Sequence, residues 1–388
     1  MKEIKKIKIL FRLRSMETGG VQKVLLNILN NLDKNKFDIT LLLNLYQGEL
    51  LKDIPKFITV QYIGKGKEFM NKNFFLKKIQ LIIRAGTLKF YNKFPQLLYK
   101  KLKLYDQQVE IGFFHYNYDD VLNSPNQKSK KIGWMHGDIK NITINGNKKN
   151  FIAKFLKFNT MVYVSQQTME SAKSFNENIV KNAKIIYNPI DVDDIIAKSE
   201  QKINIKISSS KNDSIKSFIS VGRIKPGKGY QFLIDAHKKL INDGIYHKIY
   251  IIGNGEYKAE LVKKVIEYNI EESFIFLGEY KNPYPLIKEA DYFILPSLSE
   301  AYPLVIAESL ILEKPIITTD VGGIREMMVD QENGIFIPSK NEQALYEAMK
   351  TMITDPKKGK FFVENNKKFK EIFSPVAIYK EIEKLFTK

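Results

Sequence analysis

Along nearly the whole chain, short aliphatic and β-branched runs alternate with longer stretches whose apolar residues recur every three or four positions. Such runs suit strands buried on both faces, and the longer stretches carry the period of amphipathic helices. The pattern therefore predicts repeated βα units around parallel sheets. In the first half the expected strands are Ile7–Phe11, Phe37–Leu43, Glu110–Phe114, Lys131–Met135 and Thr160–Val164. Gly19-Gly20 opens a helix on which Val21, Val24, Leu25, Ile28 and Leu29 share one face. In the second half the expected strands are Ser217–Val221, Lys248–Ile252, Phe274–Leu277, Tyr292–Leu295 and Pro315–Thr318. A Ser-Ser-Ser-Lys-Asn-Asp cluster inside Gln201–Ser214 reads as a loop, and the domain break is placed just before it, after Asn188-Pro189. Two similar halves within 388 residues predict an α/β protein of two Rossmann-like, doubly wound domains facing a central cleft, residues 1–188 and 189–373.

Composition narrows the chemistry. There is no cysteine, which excludes disulfides and thiolate sites and fits a reducing cytoplasm. The opening MKEIKKIKILF has too short an apolar run for a secretory signal and reads as a first strand. No run of about 18 apolar residues is available to span a bilayer. The net charge of +19 asks for an anionic partner: nucleic acid, a phosphorylated substrate or an anionic membrane face. Lysine enrichment of the whole genome is the plain alternative. Zinc-finger spacing and aromatic RNP-type strands are both missing, so nucleic acid is the weaker choice. Five arginines stand against 57 lysines, which makes each arginine worth a question.

The densest chemistry lies in the second half. Ser220-Val-Gly-Arg-Ile-Lys-Pro-Gly-Lys-Gly229 runs from a strand end through a Gly-rich loop into a helix beginning near Tyr230. Ligands bind at that edge of open α/β sheets, where Arg223 can grip a diphosphate bidentately and Lys228 adds a point charge. An ordinary strand-to-helix turn with solvated charges is the alternative. After Tyr292–Leu295 come Glu300 on a loop, Pro303 at a helix start and Glu308 about one and a half turns inside. The helix around Glu308 is apolar enough to be buried, and a buried carboxylate needs partners. The vicinal hydroxyls of a ribose would supply them, and the free amides near Leu304 and Val305 would meet a phosphate. Solvent exposure or a lysine partner is the other reading of Glu308. His136, between a strand end and Gly137, faces the expected cleft, whereas His237 (helix face) and His247 (loop) read as structural or surface residues and His115 has no such support. Asp191-Val-Asp193 resembles a metal-holding pair, but helix capping explains it, and no metal or other cofactor is expected.

Val221-Gly-Arg-Ile with Lys228-Gly229, then Leu277-Gly, Glu300 and Glu308, and Lys314-Pro-Ile-Ile-Thr-Thr-Asp-Val-Gly-Gly-Ile-Arg-Glu326 together resemble glycosyltransferase family 4. Gly19-Gly20-Val-Gln-Lys-Val-Leu and Trp134-Met-His136-Gly137 share the resemblance, which covers essentially the whole chain and extends to capsule, exopolysaccharide and teichoic-acid-type enzymes. At the first glutamate this chain reads Glu300-Ala-Tyr-Pro where many members carry Glu-Gly-Phe-Gly, a less free backbone. The resemblance implies the GT-B fold and a retaining, metal-independent transferase. It moves a sugar from a nucleotide-diphosphate donor, UDP-sugar favoured, to a glycan, lipid-linked or cell-envelope polymer acceptor. It assigns the diphosphate to Arg223 and Lys228, the donor sugar to Glu300, the ribose to Glu308, close backbone approach to Gly20, and the far side of the cleft to His136. Within that fold, residues 374–388 form a helix returning to the first domain, started by Pro375 and packing through Tyr379, Ile382 and Leu385. A non-catalytic nucleotide-sugar-binding protein and a polyanion-binding protein are the alternatives from other classes.

Lys65 to Tyr105 interleaves cations with aromatic and aliphatic residues at helical spacing, among them Lys77, Lys78, Phe75, Ile79 and Ile82. Such a helix suits an anionic membrane surface. The expectation is an enzyme held peripherally at the inner face of the membrane. A helix whose apolar face packs on its own domain is the alternative.

Overall fold

The computed structural model describes residues 5–142, 144, 147–203, 205, 207, 215–369 and 375–387. They fall into two compact units, one of Met1–Pro189 with Pro375–Lys388 and one of Ile190–Ser374.

The first unit is built on β1 (Ile7–Leu13), β2 (Phe37–Tyr46), β3 (Thr59–Lys65), β4 (Val109–Gly112), β5 (Lys130–Met135), β6 (Thr160–Tyr163) and β7 (Ala183–Ile185). They form one parallel sheet in the order β3-β2-β1-β4-β5-β6-β7. The second unit contains β8 (Lys216–Val221), β9 (His247–Ile252), β10 (Phe274–Gly278), β11 (Tyr292–Leu295), β12 (Ile316–Thr319) and β13 (Gly334–Ile337), ordered β10-β9-β8-β11-β12-β13, again all parallel. Both orders reverse direction beside the first strand of the unit, the Rossmann arrangement that opens a ligand crevice at the carboxyl ends of the two strands flanking the reversal. β3, β7 and β13 lie outside the sequence expectation. All three form sheet edges, and the residues of β3 and β7 are mainly half-buried.

Central strands are buried on both faces, as helices on each side of a parallel sheet require. The helix Gly20–Asn31 buries Val24, Leu25, Leu26, Ile28 and Leu29 against the first sheet. Glu110, wholly buried on β4, is satisfied by Tyr99 (2.7 Å), Ser124 (3.0 Å), Ser129 (2.9 Å) and the ammonium of Lys131 (3.1 Å). The last helix, Pro375–Thr387, packs on the first unit by burying Ile382, Leu385 and Phe386. Phe386 meets Phe11 and Phe37 edge-on, and Asn31 donates to the Tyr379 hydroxyl at 3.0 Å. Most of the loop expected over 201–214, including the Ser-Ser-Ser-Lys-Asn-Asp cluster, lies outside the described residues.

The helix Phe74–Lys93 has no buried residue. Its half-buried side carries Leu81, Arg84, Leu88 and Tyr91, with Arg84 donating to the Lys65 carbonyl at 3.1 Å. Phe75 (74% exposed), Ile79, Ile82, Ile83 and Phe90 line the opposite side. One apolar side, with Leu88 and Tyr91, thus packs on its own unit, while a second apolar stripe points outward. Among the described residues no helix is long and apolar enough to cross a membrane.

Candidate active site

The carboxyl ends of β8 and β11 are neighbours at the reversal point of the second sheet, and the two loops leaving them are locked together. Gly229 closes the first loop with φ +71°, and a Cβ there would lie 1.9 Å from the Pro296 carbonyl oxygen. Only glycine combines that left-handed backbone with such an approach. Leu298 N donates to the Gly227 carbonyl at 2.8 Å. A third loop, after β12, closes from another side: Gly322 (φ +61°) would put a Cβ 1.9 Å from the Glu300 carbonyl oxygen, and Gly323 N donates to Ala301 O at 2.9 Å.

This locking brings Lys228 and Glu300 together from 72 residues apart, at 2.7 Å. Both side chains are mostly buried, and Ser297 Oγ donates to the same Glu300 oxygen at 2.6 Å. Burial pulls the Lys228 pKa down, but the charges of Glu300 and Tyr230 and the hydrogen bond to Glu300 outweigh it, so the ammonium titrates above its ordinary value. The loop thus fixes a cation and a carboxylate in one place. Arg223 stands apart from them, 74% exposed, with Glu256 at 3.3 Å. An exposed pair of that kind is weak and leaves the guanidinium free to swing.

Pro303 caps the helix Leu304–Ile311, so Leu304 and Val305 supply first-turn amides, which lack partners inside the helix. Glu308 is its fifth residue, 4% exposed. Tyr284 donates to Glu308 Oε1 at 3.1 Å, while Oε2 is buried with no hydrogen-bond partner among the described residues. Burial first, then the Glu308 charge, pushes the Tyr284 phenol well above its ordinary range, so it stays a donor. A buried carboxylate with one bare oxygen is costly, and its chemistry calls for hydroxyl or N–H donors.

In the first unit, His136 follows β5 and lies near-parallel to Trp134, 6.2 Å away, against Phe113. Burial above all, then the neighbouring His115, lowers its pKa to about 3, so the imidazole is neutral. His115 was passed over in the sequence, yet it lies beside His136 with both ring nitrogens buried and unpartnered among the described residues, and burial lowers its pKa to about 4. Its position just past β4, the neighbour of the strand that His136 follows, is the signal that could have marked it. Gly20 is the first residue of its helix, and a Cβ there would meet nothing within 4 Å. The chain's own packing therefore does not require a glycine at that point.

The remaining candidates are structural. Asp191 caps the helix Val192–Ser199 by accepting from Asp194 N at 3.0 Å. His247 begins β9 and is not in a loop. It is buried and bonded through Nε2 to His237 Nδ1 at 2.7 Å, and His237 Nε2 meets Ser273 Oγ at 2.8 Å.

Residues 201–369 match the family model described as glycosyl transferases group 1. A Campylobacter jejuni relative, N-acetylgalactosamine-N,N'-diacetylbacillosaminyl-diphospho-undecaprenol 4-alpha-N-acetylgalactosaminyltransferase, is 27% identical over 386 residues, covering 95% of this chain and 96% of its own. The chain is a glycosyltransferase, and its second unit carries the match to group 1. Another relative of this glycosyltransferase, the Staphylococcus aureus capsular polysaccharide biosynthesis glycosyltransferase CapM, is 28% identical over 177 residues, 43% of this chain and 44% of its own. The structure of Anabaena Alr3699/HepE in complex with UDP and glucose superposes with a TM-score of 0.77 at 16% identity, over 98% of this chain and 99% of the other. The glycosyltransferase therefore has the GT-B fold.

Proposed function

We propose that this glycosyltransferase moves a sugar from a nucleotide-diphosphate donor, UDP-sugar favoured, to a glycan, lipid-linked or cell-envelope polymer acceptor with retention of anomeric configuration. The observation that carries the reading is Glu308, a buried carboxylate whose bare Oε2 suits a ribose hydroxyl. Lys228 and the swinging Arg223 hold the diphosphate and stabilise the negative charge it gains as the glycosidic C–O bond breaks. With two cations in that role, no metal is needed. The first-turn amides at Leu304 and Val305 add partial positive charge to the same anion. Glu300, pinned by Ser297 and Lys228, takes hydroxyls of the donor sugar. Gly20 leaves room for close approach, and neutral His136 hydrogen-bonds to the donor sugar or the acceptor. No covalent nucleophile is assigned. The second unit is the nucleotide-sugar-binding domain in this reading and the first the acceptor domain.

Membrane attachment is part of the proposal. The outward apolar stripe of Phe74–Lys93, flanked by the exposed Lys78 and Lys89, supports docking on an anionic cytoplasmic leaflet. The Campylobacter relative is named for a diphospho-undecaprenol substrate, and a lipid-linked acceptor would lie at such a surface.

A panel of UDP-, GDP- and ADP-sugars, followed by nucleoside-diphosphate release and by NMR of the product's anomeric carbon, tests the reaction. Release from a UDP-sugar with retained configuration is expected. Release from none of them, or an inverted product, overturns the reading.

A further inference from the structure

Two of the five arginines, Arg12 and Arg14, lie at the carboxyl end of β1 and have no part in donor binding. Arg12 is 2% exposed, with its guanidinium 3.3 Å from Asp120 Oδ2 and its Nε buried without a hydrogen-bond partner among the described residues. Buried donors are seldom left unpaired. Both arginines line a cavity of about 310 Å³ at the edge of the first sheet, floored by strand ends and walled by the helices Phe74–Lys93 and Pro95–Leu102.

The lining has two kinds of surface. Leu88, Tyr91 and Leu98 contribute an apolar wall. The lining also holds planar polar groups: guanidinium, amide and carboxylate. Asp120 is held rigid, accepting from Asn117 at 2.8 Å and Asn44 at 3.2 Å besides facing Arg12. Arg14, Asn92 and Asn123 also line the cavity, and their side chains make no hydrogen bond to another described residue, so they have donors and acceptors to spare.

We infer that this cavity is a saccharide subsite that takes a neutral sugar residue of the acceptor, an inference that rests on the glycan-acceptor reading above. A sugar hydroxyl both donates and accepts, and adjacent hydroxyls match the two-atom spacing of carboxylate, amide and guanidinium groups. A sugar also has a C–H face for the apolar wall. A bare phosphate is an anion and mainly accepts, so the carboxylates of Asp119 and Asp120 in the lining disfavour it. The cavity is of the size at which small-molecule sites begin, about 300 Å³.

Saturation-transfer NMR on the full chain tests this, with the methyl glycosides of glucose, galactose, N-acetylglucosamine and N-acetylgalactosamine as probes and UDP in the same tube. Asn92 and Asn123 are exposed, so the double variant Asn92→Ala/Asn123→Ala keeps the fold. Binding of at least one glycoside that weakens about tenfold in the double variant, while the UDP signal holds, is the expected result. Glycoside binding without a UDP signal in the wild type still supports the subsite and counts against the donor reading instead. Binding of none of the four, binding unchanged in the double variant, or displacement of the glycoside by equimolar inorganic phosphate overturns the inference.

Discussion

Glu308→Gln separates a ligand-binding carboxylate from a structural one, because the two predict opposite balances of stability and affinity. Glutamine keeps the shape and still accepts from Tyr284, whose hydroxyl lies 3.1 Å from Oε1. It removes a buried charge whose second oxygen has no partner among the described residues. A bare buried charged group costs more than a bare amide, so the unliganded protein should keep its stability or gain up to about 2 kcal/mol. Hydrogen bonds from ribose hydroxyls to a carboxylate contribute about 1.5–3 kcal/mol, so affinity for UDP should fall roughly 10- to 150-fold. Urea unfolding without nucleotide and titration calorimetry with UDP read the two quantities on the same preparations. Loss of more than about 2 kcal/mol of stability, or UDP affinity equal to wild type, would refute the reasoning.

Lys228→Ala should abolish sugar transfer and lower stability by about 1–3 kcal/mol, since Glu300 keeps Ser297 but loses its cation; full turnover by this variant sinks the diphosphate assignment. Acid should destabilise the second unit through its histidine pair. Burial above all holds His237 and His247 to pKa values of about 2 and about 4, against 6.5 for an ordinary histidine. Depressed folded values mean a contribution fully present above pH 6.5 and lost as pH falls from there toward 4, at up to about 1.4 kcal/mol per pH unit for each ring. Unfolding midpoints of wild type and of His237→Phe/His247→Val across that range should converge toward low pH, and parallel curves would contradict the account. Replacing Phe75 and Ile82, 74% and 65% exposed, by serine should leave stability within about 0.5 kcal/mol. It should weaken binding to anionic vesicles on the order of a hundredfold, and undiminished vesicle sedimentation would remove this helix from the membrane account.

Central strands were legible because burial on both faces demands uninterrupted apolar runs, as in Phe37–Tyr46 and Tyr292–Leu295. Edge strands need no such run, and Thr59–Lys65 and Ala183–Ile185 were missed for that reason. Lys228, Glu300 and Glu308 could be picked out locally, the first two by glycine and loop context and the third by its apolar flanks. Their partners could not. Glu308 meets Tyr284 across 24 residues and Arg12 meets Asp120 across 108, and only the folded sheet edge brings such residues together. His237 and His247 read as structural or surface residues without a choice between the two, because local spacing does not reveal that each ring is the other's hydrogen-bond partner inside a core.

The structure of the enzyme bound to UDP tests the central claim most directly. The ribose hydroxyls should lie within hydrogen-bonding distance of Glu308 Oε2 and the diphosphate beside Lys228 and the first turn of Leu304–Ile311. UDP bound elsewhere on the chain, or in this crevice with its ribose turned away from Glu308, would contradict it.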